Sequence, residues 1–374
     1  MSKCIWIITG EASGEIYGAR IYSELKKQYP DVHIKAMGCR ELQEAGAEII
    51  QDSSEMAVMG FVEVIKRYPM FKRIFNKMVE RAEQERPDAV VLVDYPGYNL
   101  RLAKKLHELK IKTIYYISPQ VWAWHKSRIP TIKQVVDRLI VIFPFEVDFW
   151  RKHNFQADFL GHPLIELLGE EKIEDKRDPD KFVLLPGSRK SELSTLLKPM
   201  IDSALEISSK HPNLKFVIPA AREYLIPMIT DAIKDVPDKS KFIIENGRSV
   251  YWMQKAIAGL ASSGTVTIQA AILGLPLISI YKVNAFTYFL AKRLVDLNYF
   301  TMVNIIAEKE IYREYLQGDV RPEVLVPQIE KILPGGERHA EVIADLEEMV
   351  KKLGKGTNIF GKTAELIGTS AELS

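Results

Sequence analysis

Three carboxylates and one arginine stand where α/β chains keep their chemistry: Glu11, Glu15, Asp94 and Arg189. Asp94 closes the apolar run of "VVLVDYPGYN" (90–99). A carboxylate at the carboxyl end of a buried strand loses hydration, so its pKa rises toward the range a general base needs. The same position also suits an Asp that turns the chain by bonding nearby backbone N–H groups. Glu11 and Glu15 bracket "GEASGE" (10–15), directly after the apolar run 4–8. That turn lacks both the G-x-G-x-x-G fingerprint and the Gly-Lys-Ser/Thr of a Walker loop, and its two carboxylates would repel a pyrophosphate. One reading is a strand-to-helix turn with Ser13 as cap and Glu15 near the positive helix end. The other is a site for a hydroxyl-rich ligand, with Glu11, Ser13 and Glu15 exchanging hydrogen bonds with a sugar.

Phosphate chemistry points elsewhere. "ASSGTVTIQAA" (261–271) sets Ser262, Ser263, Gly264 and Thr265 before a helix-period run. Free backbone N–H groups, hydroxyls and the helix dipole would converge there on an anion. "LLPGSRKSE" (184–192) ends a strand in a glycine turn, Gly187 and Ser188, that carries Arg189 and Lys190, donors suited to a leaving phosphate. Two such turns suggest an anion-binding crevice at a sheet switch point; for Arg189 a plain surface salt bridge is the alternative. "YISPQVWAWHKSR" (116–128) adds Gln120, Trp122, Trp124 and His125, either a ligand-cleft wall or core. His125 and His162 stand alone, without metal spacing, and no nucleophile elbow or Cys/His pair is present, so no metal or cofactor is expected.

These residues require elements to hold them. Apolar runs at 4–9, 89–94, 112–117 and 138–143 alternate with helix-period segments, which predicts βαβ units and a parallel sheet. The alternation restarts at 181–189 and continues through 215–220, 241–245 and 276–281. Two doubly wound α/β domains follow, 1–168 and 181–336, joined by the solvated linker "GEEKIEDKRDPDK" (169–181). A helical segment, 337–374, packs on the N-terminal domain or across a homodimer.

The 374 residues are 47% hydrophobic and 27% charged with a formal net charge of +2, which suits large buried cores and gives no electrostatic case for nucleic-acid binding. Cys4 and Cys39 have no paired spacing, as expected of a reducing compartment. No secretory segment and no run of roughly 18 apolar residues is seen, so a cytoplasmic protein is expected. One stretch departs from this pattern. "MAVMGFVEVIKRYPMFKRIFNKM" (56–78) interleaves aromatic and apolar residues with Lys66, Arg67, Lys72, Arg73 and Lys77, and "NAFTYFLAKRL" (284–294) has the same character. Such segments lie on an anionic bilayer surface or form a core helix with a solvated basic face.

Taken in order, "GEASGE", "MAVMGFVEV", "DYPGYN", "SPQVWAWHKSR", "FPFE", "FLGHPL", "LLPGSR", "SSGTVTIQAA", "FTYFLAKRL" and "MVNII" resemble the lipid-A-disaccharide synthases, inverting glycosyltransferases of the GT-B type. The resemblance runs almost end to end. It implies two Rossmann-like domains facing across a cleft, the first for the acceptor and the second for the nucleotide. It also implies condensation of UDP-2,3-diacylglucosamine with 2,3-diacylglucosamine 1-phosphate to a β-1,6-linked disaccharide, in lipopolysaccharide synthesis. Asp94 then deprotonates the acceptor 6-hydroxyl, and Arg189 with the Ser263-Gly264-Thr265 helix end stabilises the departing UDP without a metal. Asn304 orients the diphosphate or the acceptor, Tyr281-Lys282-Val283 meets the uracil, and Glu11, Ser13, Glu15 and Gln120 face the acceptor or a sugar. From the interleaving of cations and aromatics at 56–78, Phe61, Val62, Ile65 and Phe71 are expected to dock the protein on the inner face of the inner membrane, where the acylated substrates reside.

Two positions depart from the family. Glu15 stands where Asp is common. Gln269 stands where GT-B enzymes usually place a Glu that accepts from both ribose hydroxyls; with one acceptor oxygen, Gln weakens nucleotide binding by about 1–2 kcal/mol. The competing classes are another GT-B enzyme (an epimerase, or a transferase with a polyprenyl acceptor), a catalytically silent nucleotide-sugar binder, and a structural membrane-surface protein.

Overall fold

The computed structural model describes residues 3–54, 61–173, 175–282, 298–354 and 358–373, with the side chains of 61–68 and of Ala12 outside that description. Contacts divide the chain into two units: Met1–Pro163 with Gly356–Ser374, and Leu164–Lys355.

The first unit is built on β1 (Cys4–Ile8), β2 (His33–Gly38), β3 (Glu48–Asp52), β4 (Ala89–Val93), β5 (Lys112–Tyr116), β6 (Arg138–Val141) and β7 (Asp158–Phe159). Their order is β3-β2-β1-β4-β5-β6-β7, with every neighbour parallel. Helices cover a parallel sheet on both faces, which is why β1 and β4 read as unbroken apolar runs. Ile5–Ile8 and Ala89–Val93 are fully buried. The chain winds outward from β1 to β3, then returns through the helix Phe61–Glu85 to lay β4 against β1, with Ile5 opposite Ala89 and Ile8 opposite Leu92. The winding direction reverses between β1 and β4, so the connections leaving their carboxyl ends diverge and open a crevice.

The second unit repeats this plan with β8 (Lys181–Leu185), β9 (Lys215–Ala220), β10 (Phe242–Asn246), β11 (Ala258–Ser262), β12 (Leu277–Tyr281) and β13 (Arg313–Leu316). The order β10-β9-β8-β11-β12-β13 is again parallel and reverses between β8 and β11, where Phe182 faces Ala258 and Leu185 faces Ala261.

Two expectations about the connections change. The charged stretch 169–181 is not all solvated. Arg177 is half-buried, and its guanidinium donates to the carbonyls of Met253 (2.8 Å), Ala256 (2.6 Å) and Leu273 (2.6 Å), at the C-terminal ends of the helices Ser249–Lys255 and Thr265–Ile272. Helix ends leave carbonyls unpaired and carry partial negative charge, so one cation satisfies both. Nor is 337–374 a single segment. Its first helix, His339–Lys352, packs on the helices Thr265–Ile272 and Met302–Ala307 of the second unit. Its second, Ile359–Ser370, packs along Ala12–Gln28 in the first unit, where Gln28 Nε2 donates to the Gly361 carbonyl (2.8 Å) and Lys112 Nζ to the Ser370 carbonyl (2.7 Å).

Candidate active site

Asp94 lies one residue beyond β4, and its N–H extends the ladder by donating to the Tyr116 carbonyl (2.9 Å). Asp94 and Tyr95 both take left-handed backbone angles, φ 48° and 46°, before Pro96 opens the helix Pro96–Glu108. Two consecutive left-handed residues with side chains cost about 1–3 kcal/mol each and persist only where surroundings enforce them. The enforcing bonds converge on the Asp94 carbonyl, which accepts from Asn99 Nδ2 (2.8 Å) and Tyr115 Oη (2.7 Å). Asn99 is fully buried and also holds the Val93 carbonyl (3.2 Å). The Tyr95 ring lies so close to Gly10 that no Cβ fits there, which joins the turn after β1 to the turn after β4. Burial, with the nearby Glu11 carboxylate second, lifts the Asp94 pKa from 3.8 to about 6. Charge on Asp94 in turn adds to the burial that pushes Tyr17 up to about 12.

The other first-unit candidates divide. Glu11, exposed, is the N-cap residue of Ala12–Gln28 in place of the expected Ser13, though its side chain makes no capping bond. Ser13 is exposed in the first turn. Glu15, expected to meet a sugar, is buried, and its Oε1 accepts from the N–H groups of Cys39 (2.5 Å) and Glu41 (3.2 Å) at the start of Arg40–Glu44. It braces the loop after β2. Gln120 is exposed, its carbonyl accepting from Ala123 and Trp124. Trp122 meets Phe145 edge-on at 5.0 Å, while Trp124 is 54% exposed beside His125. His162 is buried against Phe143, and burial drives its pKa down to about 3, so it stays neutral.

In the second unit both glycine turns line one cavity of about 350 Å³ at the carboxyl ends of β8 and β11. Gly187, Ser188, Arg189, Ser263, Gly264, Thr265 and Gln269 all contribute to its wall. The N–H groups of Gly264, Thr265 and Val266 donate to no described residue, and these are the donors a helix start leaves open. The turn at Gly187 is different, because Glu192 Oε2 accepts from Ser188 N (2.8 Å) and Arg189 N (3.1 Å). Two of its amides, those of Ser188 and Arg189, are already occupied. Tyr281 and Lys282 leave the end of β12 exposed and outside the cavity wall. Among the described residues no His, Cys, Asp and Glu side chains group as metal ligands.

Asn304 does not face a ligand. It is fully buried, its Oδ1 accepting from Ile311 N (2.9 Å) and Tyr312 N (3.0 Å), its Nδ2 donating to the Tyr312 carbonyl (2.7 Å) and Glu314 Oε1 (2.9 Å). All four hydrogen-bonding positions of its amide are used to brace the approach to β13. Val283 and the patch 284–294 lie outside the described residues, as do the side chains of Phe61, Val62 and Ile65. Phe71 packs partly buried on the first unit's core, and Ile74, Met78 and Ala82 of the same helix are buried while Lys72, Arg73 and Lys77 are exposed. Over that stretch the helix spends its apolar face on the core.

Sequence reasoning missed Glu192 and Asn99. For Glu192 the signal was present: an acid three residues after the last residue of a turn is the N3 half of a capping box. For Asn99, in the quoted "DYPGYN", only tertiary structure shows that its amide reaches back to β4.

The family model described as lipid-A-disaccharide synthetase matches residues 5–363. Lipid-A-disaccharide synthase of Koribacter versatilis is 34% identical over 94% of this chain and 94% of its own. That of Trichlorobacter lovleyi is 35% identical over 95% of this chain and 94% of its own. Among solved structures, the S. aureus MnaA-UDP co-structure superposes with a TM-score of 0.70 at 12% identity, covering 100% of this chain and 98% of that one. This likeness bears on the two-domain α/β fold of GT-B type, and the family likeness bears on the chemistry.

Proposed function

This chain belongs to the lipid-A-disaccharide synthase family, and we propose that Asp94 is the general base of its reaction and the Gly264–Val266 amides the seat of the donor diphosphate. The protein is a glycosyltransferase of lipid A biosynthesis. It condenses UDP-2,3-diacylglucosamine with 2,3-diacylglucosamine 1-phosphate. The acceptor 6-hydroxyl oxygen attacks the anomeric carbon as its proton passes to the Asp94 carboxylate. The bond from that carbon to the phosphate oxygen breaks, UDP leaves with the electron pair, and the configuration inverts to a β-1,6 link.

Each assignment has a physical support. A base must be ionised at working pH yet basic enough to take a proton, and a pKa of about 6 meets both conditions. Charge growing on the leaving diphosphate is met by open amides at the positive end of Thr265–Ile272 and by the Arg189 guanidinium. The observation that carries the proposal is Asp94 itself, held at the first unit's switch point by a turn that costs energy to form. In mixed micelles holding both acylated substrates, wild-type protein is expected to release UDP and disaccharide in equal amounts. Donor binding without disaccharide would overturn the reading.

The proposal extends to docking at the cytoplasmic face of the inner membrane. Its supports are the acylated substrates and the residue pattern of 56–68 and 284–294; no helix among the described residues is long and apolar enough to cross a membrane. Phe71, already placed on the core, drops out of the contact set. Serine at Phe61, Val62 and Ile65 is expected to release the protein from sedimenting anionic vesicles. A homodimer is expected only as the alternative packing of 337–374, and sedimentation equilibrium tests it.

A further inference from the structure

We infer that Glu192 is a positioning residue: it closes the Gly187 turn to phosphate and tethers the Arg189 guanidinium at the nucleotide cavity. The inference rests on the reading of Arg189 as the cation that meets the diphosphate.

A glycine turn between a strand and a helix offers backbone N–H groups to an anion, and phosphate sites are built on such turns. Here the turn is filled from within. One Glu192 oxygen accepts from the N–H groups of Ser188 and Arg189 at 2.8 and 3.1 Å. The other accepts from Arg189 Nη1 at 3.3 Å. The fit is close enough that a Cβ at Gly187 would collide with the Glu192 carboxylate, so glycine is required both by that approach and by φ of +110°. Glu192 is the less exposed partner, its side chain 24% accessible against 64% for Arg189, and both line the same cavity as Gly264 and Thr265.

Two consequences follow from charge. A diphosphate cannot take the Ser188 and Arg189 amides without facing the carboxylate that holds them, which favours the amides at Gly264–Val266. Glu192 also opposes nucleotide binding, since it places negative charge in a wall that receives an anion. Its compensating use is Arg189. A guanidinium has five N–H donors, and one bond to Glu192 limits its position while leaving donors for the leaving group. Removing the tether should therefore separate two quantities that a merely structural residue would move together: UDP binds as well or better, and turnover falls.

The test combines Glu192→Gln, Arg189→Ala and the double variant. Glutamine keeps one oxygen to accept from the turn amides, and calorimetric counting of UDP sites normalises turnover to folded molecules. We expect Arg189→Ala to lower kcat about a hundredfold, the scale of one lost transition-state donor. Glu192→Gln should lower kcat about tenfold with UDP affinity unchanged or several-fold tighter, and the double variant should be no slower than Arg189→Ala alone, as for residues acting through one contact. If Arg189→Ala slows turnover while Glu192→Gln leaves it within twofold, or weakens UDP binding, the inference fails and the reading of Arg189 stands. Additive losses in the double variant also overturn it, because Glu192 would then act independently. A silent Arg189→Ala overturns the reading beneath.

Discussion

In the first unit the turns after β1 and β4 carry Glu11, Asp94 and Tyr95, whereas in the second the turns after β8 and β11 carry Arg189, Ser263, Gly264 and Thr265. The two sets occupy the same address in two sheets wound on the same plan. One address gathers carboxylates and lifts the pKa of the more buried one; the other gathers a guanidinium and open amides. Fold supplies the crevice, and a handful of turn residues decides whether it takes a proton or an anion. A transferase needs both, because one oxygen must lose a proton while another gains charge.

The largest effect expected from breaking this contrast is at Asp94. Asp94→Asn should lower kcat/KM by about a thousandfold, within the range of a lost general base, while calorimetry finds UDP bound as in wild type. Its stability should move the other way. The folded-state pKa of Asp94, about 6, lies above its ordinary 3.8, so its contribution to stability is complete below about pH 4 and is lost as pH rises through 6. At pH 8 the neutral variant should be the more stable by on the order of 1–3 kcal/mol, read from urea unfolding. Parallel losses of activity and stability would mark Asp94 as a turn-former only.

Arg189→Ala comes next, with its hundredfold loss in kcat, and a wild-type kcat would strip the second address of its catalytic part. Smaller still, Gln269→Glu restores a carboxylate on the cavity wall and should tighten UDP by up to about tenfold, the worth of one charged hydrogen bond. An unchanged Kd would remove Gln269 from the ribose contact. At the far end of the scale, Arg177→Met should leave turnover per UDP site unaltered while costing about 2 kcal/mol of stability through unpaired helix-end carbonyls. It separates holding the second unit from acting in it.

The alternation of apolar runs gave both sheets away in the sequence, because a strand buried on two faces has no choice but continuous Val, Ile and Leu, as in Ala89–Val93. The turns that close those strands were legible as well. Side-chain direction was not. Glu15 and Asn304 were expected to meet ligands, yet each is consumed by backbone groups that come from elsewhere in the chain, Cys39 and Glu41 for the first, Ile311 and Tyr312 for the second. A buried polar side chain goes to whichever unpaired donors tertiary structure brings near, and spacing in sequence does not record that. Arg177 shows the same thing for a charge, since a stretch without apolar residues still sent one guanidinium under two helix ends.

The most direct test of the account is the pH dependence of kcat/KM between pH 4.5 and 8.5 for wild type and Glu11→Gln in mixed micelles. The account predicts a rise of one proton's slope that levels above about pH 6, and an acid limb displaced to lower pH in Glu11→Gln, because the Glu11 charge helps to hold the Asp94 pKa up. A profile that is flat through pH 6, or one that Glu11→Gln leaves in place, would contradict it.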